Sequence, residues 1–170
     1  MSRLDRAIDR FAAQRAFLGR AAELVDAIPG PVLEIGLGKG RTFDHLRGLL
    51  PEREIFVFDH HVHAPADCVP DDDHLFLGDF RESLATAAAR LSDRAVLAHA
   101  DIGSEKPLRD AELAAALAPL IDALMAPDAI VVADRELAAA RWTPIEAPEE
   151  PGRFPYFMYR VGRYSRARYL

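Results

Sequence analysis

Glycine at alternate positions after a short apolar run is suited to close approach by a ligand. In Glu34-Ile35-Gly36-Leu37-Gly38-Lys39-Gly40 the missing Cβ atoms let the backbone turn sharply. The helix expected to open at Arg41-Thr42 would aim free N–H groups and a positive dipole end at a carboxylate or phosphate. Four aspartates recur downstream, Asp59, Asp79, Asp101 and Asp134, each at or just after an apolar run. Asp59 follows Glu34 by 25 residues, where an acid can accept two hydrogen bonds from a ribose diol. His99 and Asp101 are the candidates for proton transfer. A histidine satisfied inside the core is the competing reading of His99, and a helix cap that of Asp101.

Regular elements must place these groups together. Residues 3–28 carry apolar positions at helical spacing and stop at Pro29-Gly30-Pro31. Strands are expected at 32–35, 55–58, 74–77, 95–100 and 129–133. Helices are expected at 42–50, 80–91, 108–125 and 135–141, with Pro119 bending or splitting the third. Residues 142–146 and 156–162 read as a closing antiparallel pair. Alternating strands and helices argue a doubly wound, mostly parallel α/β sheet, which binds ligands beyond the carboxyl ends of its strands. Four of the first five strands end at an aspartate and the other ends in the glycine turn, so all five would face one crevice.

Length and composition set the frame. One domain over 1–170 is expected, with an N-terminal helix at 1–28, a ligand-binding core at 30–135 and a hairpin at 142–163. The chain is half hydrophobic and 28% charged, too apolar for disorder. It has no apolar run of membrane-span length and no signal-peptide core, so a cytoplasmic location is expected. A single cysteine, Cys68, excludes an internal disulfide. The net charge of −6 disfavours nucleic acid and acidic membranes as partners. The charge is uneven: residues 152–170 hold five arginines, no acid and all four tyrosines, leaving the rest at a formal −11 without those five charges. Tyrosine and arginine suit interface anchors, so this segment is the expected contact of a homo-oligomer, dimer or tetramer.

The dinucleotide fingerprint requires a glycine where this chain has Arg41 or, one frame later, Phe43. A nucleotide-dependent oxidoreductase is therefore the weaker enzyme reading, and a non-catalytic cofactor-binding or assembly module the non-enzyme one. What remains, acid-x-Gly-x-Gly-x-Gly, resembles motif I of the class I S-adenosylmethionine-dependent methyltransferases. The resemblance covers residues 30–135 by motif and the chain by element order. It implies a Rossmann-like sheet of seven strands in the order 3-2-1-4-5-7-6, without a separate substrate domain. It implies S-adenosyl-L-methionine as cofactor and S-adenosyl-L-homocysteine as product. The methionine end would lie on Glu34, Gly36, Leu37, Gly38, Lys39, Gly40 and Thr42. The ribose would lie on Asp59, and the adenine at Gly78-Asp79-Phe80, with His60 and Phe80 flanking the ring. Asp101 would face the sulfonium or the acceptor. The acceptor is expected to be a small molecule.

Asp101 and Asp134 are also similar to the acids of metal-dependent O-methyltransferases, but Arg135 stands where those have asparagine and would repel a cation. No metal is therefore expected, and Arg135 is expected to pair with Asp101 or an acidic substrate. His60-His61-Val62-His63 with Cys68 and Asp71-Asp72-Asp73 matches no zinc spacing and reads as a polar loop.

Overall fold

The computed structural model describes residues 1–104, 106–149 and 152–164. Its element order is α1 (Arg3–Val25), β1 (Val32–Ile35), α2 (Arg41–Leu49), β2 (Ile55–Asp59), β3 (Leu75–Leu77), α3 (Phe80–Leu91), β4 (Ala95–Ala100), α4 (Pro107–Asp122), β5 (Met125–Ala133), β6 (Trp142–Pro144) and β7 (Phe157–Val161). The seven strands form one sheet in the order β3-β2-β1-β4-β5-β7-β6. β1 to β5 pair in parallel, and β7 pairs antiparallel with both β5 and β6.

The two sheet faces are covered differently. One is packed by α3 and α4, through Leu84, Leu91, Leu117 and Ile121 against Leu33, Phe56 and Val131. The other is packed by α1 and α2, through Phe17, Leu18, Val25 and Leu46 against Val32, Val57 and Val132. Burial of a side chain such as Phe17 or Leu18 contributes about 1.5–3 kcal/mol. A capping box starts α1: Asp5 N–H donates to Ser2 Oγ at 3.0 Å and Ser2 N–H to Asp5 Oδ2 at 2.7 Å.

Several expected elements are corrected. α1 ends at Val25, where the Ile28 N–H turns back to the Val25 carbonyl at 2.9 Å. α4 runs unbroken through Pro119 and stops at Asp122. β5 begins at Met125, four residues before the expected start, and slips register against β4 between Ala95 and Leu97. Residues 135–141 form no helix. There the Leu137 N–H donates to the Tyr159 hydroxyl at 3.0 Å, and the Arg135 side chain is drawn to Asp110. These long-range partners replace the local bonds a helix would use.

Part of the C-terminal Arg/Tyr segment is internal among the described residues. Tyr156 and Tyr159 are buried, and Tyr164 lies against the Arg141 guanidinium at 4.0 Å. Two of the four expected subunit-contact tyrosines therefore pack the chain's own core. Arg166, Arg168 and Tyr169 lie outside the described residues. Among the described residues no helix is long and apolar enough to cross a membrane.

Candidate functional site

The carboxyl ends of β1, β2 and β4 meet the N-terminal half of α1 around a cavity of about 700 Å³. That volume suits a drug-sized ligand. One wall is the glycine turn. Gly36 has φ +97°, and a Cβ there would stand 2.2 Å from the Asp101 carbonyl oxygen, so this position admits no side chain. Its N–H donates to the Phe58 carbonyl at 2.8 Å, pinning the turn to β2. Gly38 also has positive φ, +51°, but a Cβ there would meet nothing within 4 Å. It lines the cavity with its backbone bare.

Asp59 ends β2 and lines the same wall. Its Oδ2 accepts from Gly38 N–H at 3.0 Å and its Oδ1 from His61 N–H at 3.3 Å. A carboxylate has about four lone-pair sites, so two remain for a ligand diol. Beyond it lie His60 and Phe80, with ring centroids 4.5 Å apart. They touch each other, which corrects the expectation that they flank an adenine; a third ring can lie on the pair but does not fit between them. Asp79 sits just outside the cavity lining and caps α3, accepting from Arg81 N–H at 2.8 Å. Gly78 lies beside it, also outside the lining.

Glu34 and His99 are placed otherwise than their assigned roles require. Both are fully buried, and neither lines the cavity. They are cross-strand partners on β1 and β4. His99 Nδ1 lies 2.8 Å from Glu34 Oε2, and its Nε2 lies 2.9 Å from the Tyr156 hydroxyl. The other Glu34 oxygen accepts from Thr42 Oγ1, in the first turn of α2. Burial alone would lower the His99 pKa; the Glu34 charge and hydrogen bond outweigh it and hold His99 above its usual value. An imidazole enclosed in this way cannot reach an acceptor, so His99 is corrected from a general base to a buried structural partner of Glu34 and Tyr156. Glu34 likewise acts on the cavity only through Thr42, which lines it. Gly40 turns away as well: a Cβ there would meet Cys68 at 2.6 Å.

The opposite wall belongs to α1. Arg10 forms an ion pair with Asp101 Oδ1, and Gln14 Nε2 donates to Asp101 Oδ2 at 2.9 Å. Phe154, from the loop before β7, lies against the Arg10 guanidinium at 5.6 Å. Behind this wall a buried polar chain runs from Glu34 through His99 to the Tyr156 hydroxyl. Burial and then the Asp101 charge push the Tyr156 pKa far upward, so the phenol stays neutral.

Asp134 lies behind Asp101. Its oxygens accept from Ile102 N–H at 3.2 Å and Gly103 N–H at 3.0 Å. Burial, then the neighbouring Asp101 charge, raise its pKa to about 6, against the opposing effect of Arg135. Arg135 pairs with Asp110 at 3.0 Å and more loosely with Asp134 at 4.0 Å, not with Asp101 as expected. Among the described residues no group of three or more His, Cys, Asp or Glu side chains is arranged to hold a metal ion.

Arg6, Arg10, Phe11, Gln14 and Phe154 line the cavity without having been expected there. The signal was in α1. Residues 6, 10 and 14 repeat at i, i+4, making the helix face polar above the cavity, before Phe17, Ala21 and Val25 continue it as apolar above the sheet.

Residues 1–161 match the family described as S-adenosyl-L-methionine methyltransferase. A solved S-adenosyl-L-methionine methyl transferase from Silicibacter pomeroyi DSS-3 is 36% identical, covering 95% of this chain and 99% of that one, with a TM-score of 0.90. More distant structures share the fold alone. Human methyltransferase-like protein 13, in complex with S-adenosylhomocysteine, is 13% identical over 94% of this chain and 83% of that one, with a TM-score of 0.54. The 1,6-didemethyltoxoflavin-N1-methyltransferase of Burkholderia thailandensis, with bound 1,6-didemethyltoxoflavin and S-adenosylhomocysteine, is 17% identical over 88% and 80%, with a TM-score of 0.52. No curated protein is significantly similar to the chain.

Proposed function

The chain belongs to the S-adenosyl-L-methionine methyltransferase family, and we propose that its cavity binds the cofactor along the glycine turn and a small-molecule acceptor beneath α1. The observation that carries this reading is the pair of facing walls: the bare Gly38 backbone with Asp59 on one side, α1 side chains converging on Asp101 on the other. The cofactor supplies a methyl group activated on a sulfonium.

The chain's residues then have the task of holding an acceptor in line and excluding water. Gly36, Leu37, Gly38, Lys39 and Thr42 bound the methionine end, and Asp59 offers its two remaining lone-pair sites to the ribose. His60 and Phe80 present a surface for the adenine, beside Asp79. Asp101 orients the acceptor and takes its proton when the acceptor atom must lose one.

Calorimetry with S-adenosylhomocysteine, followed by transfer of isotopically labelled methyl to a metabolite panel with Asp101→Asn as control, tests the reading. Cofactor binding with turnover that falls at least tenfold in the variant is the expected result. Binding without turnover on any acceptor would favour a non-catalytic cofactor-binding module. Absence of cofactor binding would refute the reading.

A further inference from the structure

The cavity is positive in a negative molecule. Its lining holds four cationic side chains, Arg6, Arg10, Lys39 and Arg41, and two carboxylates, Asp59 and Asp101, while the whole chain carries −6. Asp101 is taken by Arg10, and Asp59 is turned to the glycine loop. Among the described residues Arg6, Lys39 and Arg41 make no ion pair. Arg41 rests on the Phe11 ring at 5.2 Å, and Lys39 reaches only the His63 carbonyl, at 3.5 Å. The cofactor does not cancel this surplus. Its sulfonium and ammonium outnumber its one carboxylate, so it enters as a net cation. Its single carboxylate brings one negative charge to Lys39 and Arg41 beside the turn, and Arg6 stands on the opposite wall. Uncompensated cations that focus their field into one cleft raise the local concentration of an anion.

We propose that the methyl acceptor is a small anion, carrying a carboxylate or phosphate that Arg6 and Arg41 hold at the mouth of the cavity while its nucleophilic atom lies near Asp101. The proposal rests on the methyl-transfer reading and adds the acceptor's chemical class. Two guanidiniums from different helices suit a forked oxyanion. Phe11, Phe154 and Ile102 supply apolar contact for the acceptor's body. The overall negative charge opposes a long polyanion, which would have to lie across the acidic remainder of the surface.

The test uses the full chain saturated with S-adenosylhomocysteine at constant ionic strength. Inorganic phosphate, 4-hydroxybenzoate, its neutral counterpart 4-hydroxybenzamide and a ten-nucleotide single-stranded RNA are titrated into the wild type, Arg6→Gln and the Arg6→Gln/Arg41→Gln double variant. Circular dichroism verifies the fold. The expected result is that phosphate and 4-hydroxybenzoate bind at least tenfold more tightly than the amide. That preference falls at least tenfold in Arg6→Gln and disappears in the double variant, while S-adenosylhomocysteine affinity of Arg6→Gln stays within twofold. Equal binding of acid and amide, or anion binding indifferent to Arg6, would overturn the proposal. So would a matching loss of S-adenosylhomocysteine affinity in Arg6→Gln, which would assign the arginine to the cofactor, or binding of the RNA alone. Failure of the wild type to bind S-adenosylhomocysteine would instead sink the parent reading, a result distinct from all of these.

Discussion

The two walls of the cavity are made by different means. The β1–β2 wall is backbone: a turn whose shape depends on glycines at 36 and 38, fastened by Gly36 N–H to Phe58 and Gly38 N–H to Asp59. The α1 wall is side chains: Arg6, Arg10, Phe11 and Gln14, of which Arg10 and Gln14 reach across to Asp101, some ninety positions later. The first wall is supported from inside the fold by Glu34, Thr42 and His99. The second stands on one ion pair and one amide hydrogen bond. The difference teaches where rigidity is kept. A binding surface made of backbone cannot be retuned without disturbing the sheet, whereas a surface made of long side chains can.

The contrast can be broken experimentally, beginning with its strongest member. Glu34→Ala leaves the buried His99 ring and the Thr42 hydroxyl without their carboxylate partner. A loss of about 3–5 kcal/mol is expected in urea denaturation; a loss below about 1 kcal/mol would show that the wall has no such internal support. Gly36→Ala forces a Cβ against the Asp101 carbonyl at positive φ, with an expected cost of about 3 kcal/mol and a lowered melting temperature.

Asp134 carries a pH signature. Its folded pKa of about 6 exceeds the ordinary 3.8, so the folded state binds the extra proton. The contribution is complete below about pH 4 and is lost as pH rises through 6, up to about 3 kcal/mol in all. His99 is also raised and has the same sign, but its loss begins only above the ordinary 6.5. Denaturation between pH 4 and 6 therefore isolates Asp134, and Asp134→Asn is expected to flatten that slope. An unchanged slope would place the titration elsewhere.

Asp59→Ala is expected to weaken S-adenosylhomocysteine binding by more than tenfold in calorimetry, about 1.4 kcal/mol. Unchanged affinity would show that Asp59 serves only the turn. Arg10→Ala closes the series. Its guanidinium is partly exposed, so stability should change by less than about 1 kcal/mol, with the effect falling on the acceptor's KM. A large stability loss there would erase the distinction between the two walls.

The same division explains what was legible in the sequence. The order of strands, the glycine turn and the aspartates at strand ends are local patterns, readable from spacing and from resemblance to a family. The expected strand order already made β1 and β4 neighbours, but the Glu34–His99 pair required their register as well, which sets two polar residues, each one position before a strand's last residue, side by side. The α1 contributions depended on how far that helix overhangs the sheet. Residues 135–141 misled because their helical spacing was overridden by Tyr159 and Asp110, distant partners that no window of neighbouring residues contains.

The overhang of α1 has a bearing on how such a protein diversifies. Phe17, Leu18 and Val25 anchor the helix through its second half, while Arg6 and Ala7 face the cavity from its first half. On the proposed reading, substitutions at 6 and 7 would change what the cavity selects without entering the hydrophobic core or the glycine turn. Foldability and selectivity would then be inherited on separate stretches of one helix, so a lineage could exchange acceptors by drift in a single turn.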